Sequence, residues 1–135
     1  MRKVRYRGKV KNNKTTEYSK LDWEVGSLSW YETGGAVRAF INNFGVHPET
    51  VGESTGVYCL KDGKKAEIFE GDILKIKQKF NGFVDNLLGV VNWDAEEACF
   101  YVETLFDFYP MDEIAFETEI VGNIWDNPEM KEEIQ

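Results

Sequence analysis

The chain has 135 residues, a hydrophobic content of 42%, an aromatic content of 14% and a formal net charge of -8 at pH 7. This length supports one hydrophobic core without disulfides or metals, and the negative charge argues against a general attraction to nucleic acid or anionic lipid. The sequence has neither an apolar run of the roughly 18 residues that a membrane helix needs nor an apolar signal segment at its start, so we expect a cytoplasmic protein.

Cations and apolar residues alternate in the opening segment, residues 3–11. Because successive side chains of a strand point to opposite faces, this alternation predicts a β-strand with an apolar face toward the core and a cationic face toward solvent. The apolar face comprises Val4, Tyr6, Gly8 and Val10, and the cationic face comprises Lys3, Arg5, Arg7, Lys9 and Lys11.

The next segment, residues 21–31, also reads as a strand, but its apolar alternation changes parity at Gly26. The apolar residues are Trp23 and Val25 before the change and Leu28 and Trp30 after it. One extra residue in a strand produces such a change, so we predict a β-bulge at Gly26.

The middle of the chain contains a boundary between two lobes. Apolar spacing in residues 34–44 fits both a short helix and a strand, and we favour the strand. Pro48 then opens a connection without apolar periodicity that continues to Gly56. We therefore expect an N-terminal β lobe with its connection (residues 1–54), a small β-barrel lobe (residues 55–126) and a tail (residues 127–135).

The C-terminal half contains several short strands with tight turns. Asp62-Gly63 can adopt the positive φ angles of a two-residue hairpin, and Glu70-Gly71-Asp72 precedes a strand in which apolar residues alternate with lysines. Further strands are predicted at residues 89–93, 98–105 and 119–125. The predicted fold class is mainly β, with short antiparallel strands and an SH3-like small barrel in the C-terminal half.

The two cysteines, Cys59 and Cys99, lie in separate apolar, strand-like segments. A free cysteine in such a segment behaves as a small hydrophobic residue, and disulfides are rare in reducing compartments. We therefore expect two buried thiols.

The chain offers few residues for catalysis or metal binding. His47 is the only histidine, and it precedes Pro48, which favours extended backbone, so we interpret it as a loop residue. The alternative is that it acts as a ligand or general base. The spacing of the histidine and the two cysteines matches no zinc signature, and the glycines form no phosphate-binding loop. We expect a protein that is not an enzyme, and we assign no catalytic, cofactor-binding or metal-binding residue.

Basic residues on two predicted strands give one hypothesis for function. A shared cationic face could hold the phosphates of a nucleic acid while nearby aromatic rings stack on its bases. The candidate residues are Lys3, Arg5, Arg7 and Lys9 in the first strand and Lys75, Lys77 and Lys79 in the second. The alternative is that these residues only protect a strand edge against aggregation.

Aromatic residues give a second hypothesis. The chain has nineteen of them, which is many for one small core, so we place some at an interface between copies of the chain. The candidate interface residues are Phe106, Phe108 and Tyr109. Cations accumulate before residue 21 and acids after residue 93, so the opposite ends of two copies could also attract each other. The alternative is that the aromatic residues fill a single well-packed core.

A set of short motifs, spread along the whole chain, carries a family resemblance. The motifs are Arg7–Lys9, Trp23–Leu28, Val46–Gly52 with Thr55-Gly56, Glu67–Ile73, Gly89–Val91 and Val121–Pro128. In these residues the chain resembles the YopX-like family of small proteins from bacteriophages and prophages of Gram-positive bacteria. The resemblance implies a β-rich fold without an established activity.

These observations favour a noncatalytic structural or interaction module. We expect a YopX-like phage or prophage protein of unknown biochemical activity that forms a homo-oligomer in the cytoplasm of the bacterial host cell, without a cofactor and without membrane contact. Nucleic-acid binding through the basic strand faces is the alternative.

Overall fold

The computed structural model describes residues 3–80, 83–105, 107–111 and 118–134, with the backbone alone at residues 78–80 and 83–85. The described residues form twelve β-strands and one short α-helix, which confirms the mainly β prediction. The chain divides into two compact units, Met1–Ser54 and Thr55–Gln135. Within the described residues, no helix combines the length and the apolar character needed to cross a membrane.

The first unit contains two sets of paired strands. Its strands are β1 (Tyr6–Lys9), β2 (Trp23–Gly26), β3 (Leu28–Thr33), β4 (Ala36–Ile41), β5 (Phe44–Val46) and the start of β6 (Gly52–Lys61). β1 pairs antiparallel with β2 and with the first residues of β6, whereas β3, β4 and β5 form a separate antiparallel sheet in that order. The opening strand and the strand favoured in residues 34–44 are both confirmed.

Gly26 marks a break between two strands and not the predicted bulge. β2 ends at Gly26, β3 begins at Leu28, and the two strands belong to different sheets. The Asn42 side chain holds this junction, because its nitrogen donates to the Val25 carbonyl (2.9 Å) and its oxygen accepts from the Ser27 N–H (3.2 Å). A Cβ atom at Gly26 would lie 2.2 Å from that oxygen. The bulge prediction is therefore wrong. Glycine is needed at this position because a larger residue would displace the Asn42 side chain.

The second unit is built on one sheet. Its strands are the rest of β6, β7 (Lys64–Phe69), β8 (Asp72–Phe80), β9 (Phe83–Asp94), β10 (Cys99–Thr104), β11 (Phe108–Pro110) and β12 (Thr118–Asn123). Their order is β11-β10-β9-β8-β12-β6, and β7 also pairs with β6. Asp62 and Gly63 have φ angles of 51° and 77°, which confirms the predicted hairpin. In the described residues no pairing joins the two ends of this order, so the SH3-like barrel stays a prediction.

Both faces of the sheet are covered where residues 73–74 of β8 pair with residues 89–90 of β9. Ile73 and Leu74 are adjacent and point to opposite faces. Leu74 belongs to the main core, together with Cys59, Ile68, Ile76, Val91, Phe100, Val102, Met111 and Ile120. Ile73 instead contacts Val90 and Ile134, and Ile134 lies in a helix, α1 (Pro128–Ile134). The residues expected to form a tail thus contain a helix, whose first residue is proline, a residue suited to that position.

Three of the resemblance motifs meet in the second unit. Gly71, at a φ of 91°, donates its N–H to the Val91 carbonyl (2.8 Å) and accepts from the Ile124 N–H (3.0 Å). Asp72 is buried and accepts the Phe69 N–H (2.8 Å). The side-chain oxygen of Asn123 accepts the N–H groups of the two residues that follow Ile124. These polar side chains hold backbone turns.

Both cysteines are free thiols, as predicted, but only Cys59 is buried. Burial raises the pKa of the Cys59 thiol to about 11, and the carboxylates of Asp72 and Glu119 act in the same direction. Cys99 is exposed because it begins β10 and points away from the face that carries its buried neighbour Phe100. The predicted burial of Cys99 is therefore wrong.

Candidate functional site

The first basic strand does not present all of its cations to solvent. Lys3 and Arg5 are exposed, but Arg7 and Lys9 are buried. The prediction that the whole cationic face points to solvent is therefore wrong. Lys9 donates from Nζ to the Leu21 carbonyl (2.8 Å). The Trp23 ring covers both buried cations, with its centre 4.4 Å from Lys9 Nζ and 4.5 Å from Arg7 Cζ. These are cation–π contacts that stabilise the fold.

The second basic strand follows the predicted alternation. Lys77 is exposed, and the side chain of Lys79 lies outside the described residues. Lys75 is paired with an acid, because Glu119 lies directly opposite it on β12 and their charged atoms are 3.5 Å apart. β1 pairs with β2 and β6, whereas β8 pairs with β9 and β12, so in the described residues the two basic strands do not pair with each other. Nucleic-acid binding stays a prediction.

His47 takes part in a cluster with Tyr18 and Glu49. It has extended backbone and directly precedes the short 3₁₀ turn Pro48–Thr50, as expected of a loop residue beside proline. Its Nδ1 atom lies 3.4 Å from Glu49 Oε1, the Tyr18 hydroxyl donates to the same oxygen, and the Tyr18 ring meets the imidazole edge-on at 5.2 Å. The His47 Nε2 atom is buried and has no hydrogen-bond partner in the part of the chain that the structure describes.

The cluster changes the ionisation of its members. Burial would raise the pKa of the Glu49 carboxyl, but the Tyr18 hydroxyl, its own backbone N–H and the charges of His47 and Lys11 together hold that pKa below its ordinary value. The bond to Glu49 raises the pKa of the Tyr18 hydroxyl. Both shifts favour a protonated Tyr18 and an ionised Glu49, the states in which the hydroxyl donates to the carboxylate of the Pro48–Thr50 turn. Among the described residues, no group of three His, Cys, Asp or Glu side chains is placed to hold a metal ion.

Phe108, one of the predicted interface residues, lines an exposed aromatic groove. Phe108 is 62% exposed, Tyr109 is half-buried against the main core, and Phe106 lies outside the described residues. The Phe108 ring meets that of Tyr101 edge-on at 5.4 Å. Both rings line a groove of about 440 Å³, whose other lining residues include Trp93, Asp94, Glu97 and Cys99. We call this surface the aromatic groove.

The hairpin of β3 and β4, residues 28–41, is a second exposed apolar surface, and we call it the arm. Trp30 is 68% exposed and Tyr31 is 50% exposed, although they point to opposite faces of β3. On one face Tyr31 stacks on Phe40 at 5.7 Å. On the other, Trp30 lines a cleft of about 260 Å³ together with Leu28, Val37, Ala39, Pro48 and Val51. Sequence reasoning missed the arm, although two adjacent aromatic residues in a strand signal that both faces need cover.

Comparisons with known proteins match the chain as a whole. A solved structure, protein EF1440 from Enterococcus faecalis, is similar to it at 18% sequence identity with a TM-score of 0.53, and the match covers 95% of this chain and 97% of that chain. At that identity the likeness shows the fold alone. No curated protein matches the chain significantly. The profile of the YopX protein family matches residues 3–132. The chain therefore belongs to the YopX family, as its motifs indicated.

Proposed function

We propose that this YopX protein is a noncatalytic interaction module that self-associates, encoded by a phage or prophage and acting in the cytoplasm of the bacterial host. The observation that carries the proposal is Phe108, whose ring is 62% exposed beside the aromatic groove. A large ring exposed next to other aromatic side chains is typical of an interface that a partner covers.

The charge around the aromatic groove supports a contact with a different surface of the second copy. Residues 93–110 contain five acids and no cation, whereas the cations of the chain are concentrated before residue 21. The exposed Lys3 and Arg5 would complement the acidic rim, because opposite charges orient two surfaces as they meet. A contact between two different surfaces can be repeated around a ring, which would give a closed oligomer.

Sedimentation velocity of Phe108→Ser tests the proposal. Removing the exposed ring should weaken association by at least about tenfold, since buried aromatic anchors dominate interfaces. Tyr58→Ser is the matched control, because Tyr58 is also an exposed aromatic residue (44%) but lies on β6. A wild-type protein that stays monomeric at every concentration would contradict the proposal.

The shape of the second unit is part of the same proposal. We place an SH3-like small barrel there, supported by the tight β6–β7 hairpin and by the irregular register of β12 between Ile120 and Gly122. Bulges of this kind bend a strand and help a sheet to curl.

Nucleic-acid binding is the second candidate function, favoured by the exposed side chains of Lys3, Arg5 and Lys77. If it operates, fluorescence anisotropy should detect binding of a single-stranded oligonucleotide that weakens steeply between low and physiological salt. Binding that does not respond to salt, or no binding at low salt, would remove this candidate.

A further inference from the structure

We propose that the arm is a dimerisation element in which β3 of one copy pairs antiparallel with β3 of a second copy, about a two-fold axis at Trp30. This inference rests on the proposed self-association, and it assigns to it a surface that is separate from the aromatic groove.

The outer edge of β3 lacks the features that usually prevent strands from pairing. Among the described residues β3 pairs only with β4, and its six residues include no proline and no lysine. The other edge strands are protected. β2 and β5 are only four and three residues long, β7 carries Lys64 and Lys65, and β11 has three residues ending in Pro110.

The turn of the arm determines which backbone groups of β3 face outward. Gly34 and Gly35 have φ angles of 58° and 79°, which is typical of a two-residue type I′ turn, and Thr33 pairs with Ala36 across it. The closing pair of such a hairpin is hydrogen-bonded, and hydrogen-bonded pairs alternate along an antiparallel ladder. Thr33, Tyr31 and Ser29 therefore bond to β4. The N–H and C=O groups of the remaining residues, Leu28, Trp30 and Glu32, point to the open edge.

An antiparallel pair centred on Trp30 uses all of these outward groups. Trp30 then lies opposite Trp30 of the second copy, and Leu28 lies opposite Glu32. A pair centred on Tyr31 would leave the outward groups of Leu28 unused. A pair centred on Glu32 would place two like charges directly opposite each other, which is destabilising. The backbone and the charges thus favour the same register.

The charge of the arm favours a second copy as its occupant. The chain carries a net charge of -8, but residues 28–41 contain only one acid, Glu32, and one cation, Arg38. Two neutral arms can approach each other without local repulsion. The aromatic groove could not pair with itself in this way, because residues 93–110 contain five acids and no cation.

The pairing would also cover the most exposed aromatic side chain of the arm. Directly opposite residues of a hydrogen-bonded antiparallel pair lie roughly 5.5 Å apart at Cα, so the two Trp30 rings would contact each other. In a single copy each ring is 68% exposed. The two apolar clefts beside these rings would then lie on one face of a continuous six-stranded sheet.

Charge exchange at position 30 tests the pairing by sedimentation velocity. Trp30→Lys and Trp30→Glu should each weaken dimerisation by at least about tenfold, because each places like charges opposite each other on the two-fold axis. An equimolar mixture of the two variants should recover association, since a lysine then faces a glutamate. The exposure of Trp30 predicts that both variants fold, and circular dichroism checks this. Tyr58→Lys is the control for an added charge on an exposed aromatic position.

The outcomes separate this inference from the proposed function. Variants at position 30 that associate as strongly as the wild type would overturn arm pairing while leaving self-association intact. Loss of association in both variants without recovery in the mixture would overturn the two-fold register. A monomeric wild type would overturn both proposals. This holds even if the edge of β3 binds a strand-forming peptide from another protein, because the proposed partner is a second copy of this chain.

Discussion

At the residue scale, Trp23 explains why the alternation of β1 was predicted correctly but the solvent exposure of Arg7 and Lys9 was not. Arg7 and Lys9 do share one face of β1, as alternation requires, but Trp23 lies directly opposite Lys9 on β2 and covers that face. The pattern of a single strand contains no information about what its partner strand places above it. In this setting the Lys9 Nζ atom bonds to the Leu21 carbonyl and contacts the indole ring.

The substitution Lys9→Met measures what the buried charge contributes. Methionine keeps much of the apolar stem but removes the ammonium group, so the Leu21 carbonyl loses its donor. We expect a loss of about 1.5–3 kcal/mol in the free energy of unfolding, the usual range for a hydrogen bond to a charged group. Urea denaturation provides the measurement, with Lys61→Met as the exposed control. A Lys9→Met protein as stable as the wild type would show that Trp23 and its neighbours gain as much from an apolar side chain.

At the element scale, the junction of β2 and β3 depends on one glycine and one asparagine. Asn42 has a φ of 49°, and its side chain bonds to Val25, Ser27 and Glu24. Gly26 leaves the space that this side chain fills. The arm therefore begins at a fixed point, since the chain leaves one sheet and enters another within two residues.

A double-mutant cycle tests this coupling. Gly26→Ala should destabilise the protein by about 1–2 kcal/mol, because its Cβ displaces the Asn42 side chain and breaks its hydrogen bonds. In the background of Asn42→Gly, which tolerates the positive φ, the same alanine should cost much less because nothing is left to displace. Chemical denaturation of the four proteins gives the coupling free energy. Additive effects would mean that glycine is needed at position 26 for the local backbone conformation and not to leave space for the Asn42 side chain.

The sequence predicted local elements well and distant relations poorly. The Asp62-Gly63 turn and the alternation of β8 depend on neighbouring residues, and both are confirmed. The change of parity at Gly26 was located correctly but assigned to a bulge, because parity alone does not distinguish an extra residue from a change of sheet. The exposure of Cys99 and the burial of Lys9 depend on strands that meet only in the folded chain. The aromatic groove was indicated by Phe108, whereas the arm was missed.

At the scale of the whole molecule, the two proposed contacts differ in their electrostatics. The aromatic groove has an acidic rim that would meet the cations of a neighbour, whereas the arm is neutral and would meet an identical arm. Each copy also carries a net charge of -8, so any two copies repel each other at long range. Salt screens attraction and repulsion alike.

Salt should therefore affect the two contacts differently. In Phe108→Ser only arm pairing remains, and raising the salt concentration from about 0.05 M to about 0.5 M should leave it unchanged or strengthen it as the general repulsion is screened. In Trp30→Ser only the groove contact remains, and the same change should weaken it. Sedimentation equilibrium measures both. The same response in the two variants would contradict this electrostatic difference between the contacts.

The strand order of the second unit has a kinetic consequence. β12 follows the other strands of this unit in the chain, yet it pairs with β8 on one side and β6 on the other. Strands β8 to β11 can assemble early through local contacts, but the pairings of β12 with β8 and β6 join residues that are far apart in sequence, and such non-local pairing slows folding. Until it arrives, the side of β8 that β12 will occupy stays open to other nascent chains. During that interval the charges of Lys75 and Lys77 would hinder pairing of β8 with other chains. The alternating lysines of β8 can therefore protect the folding chain against aggregation even if the folded protein binds nothing with them.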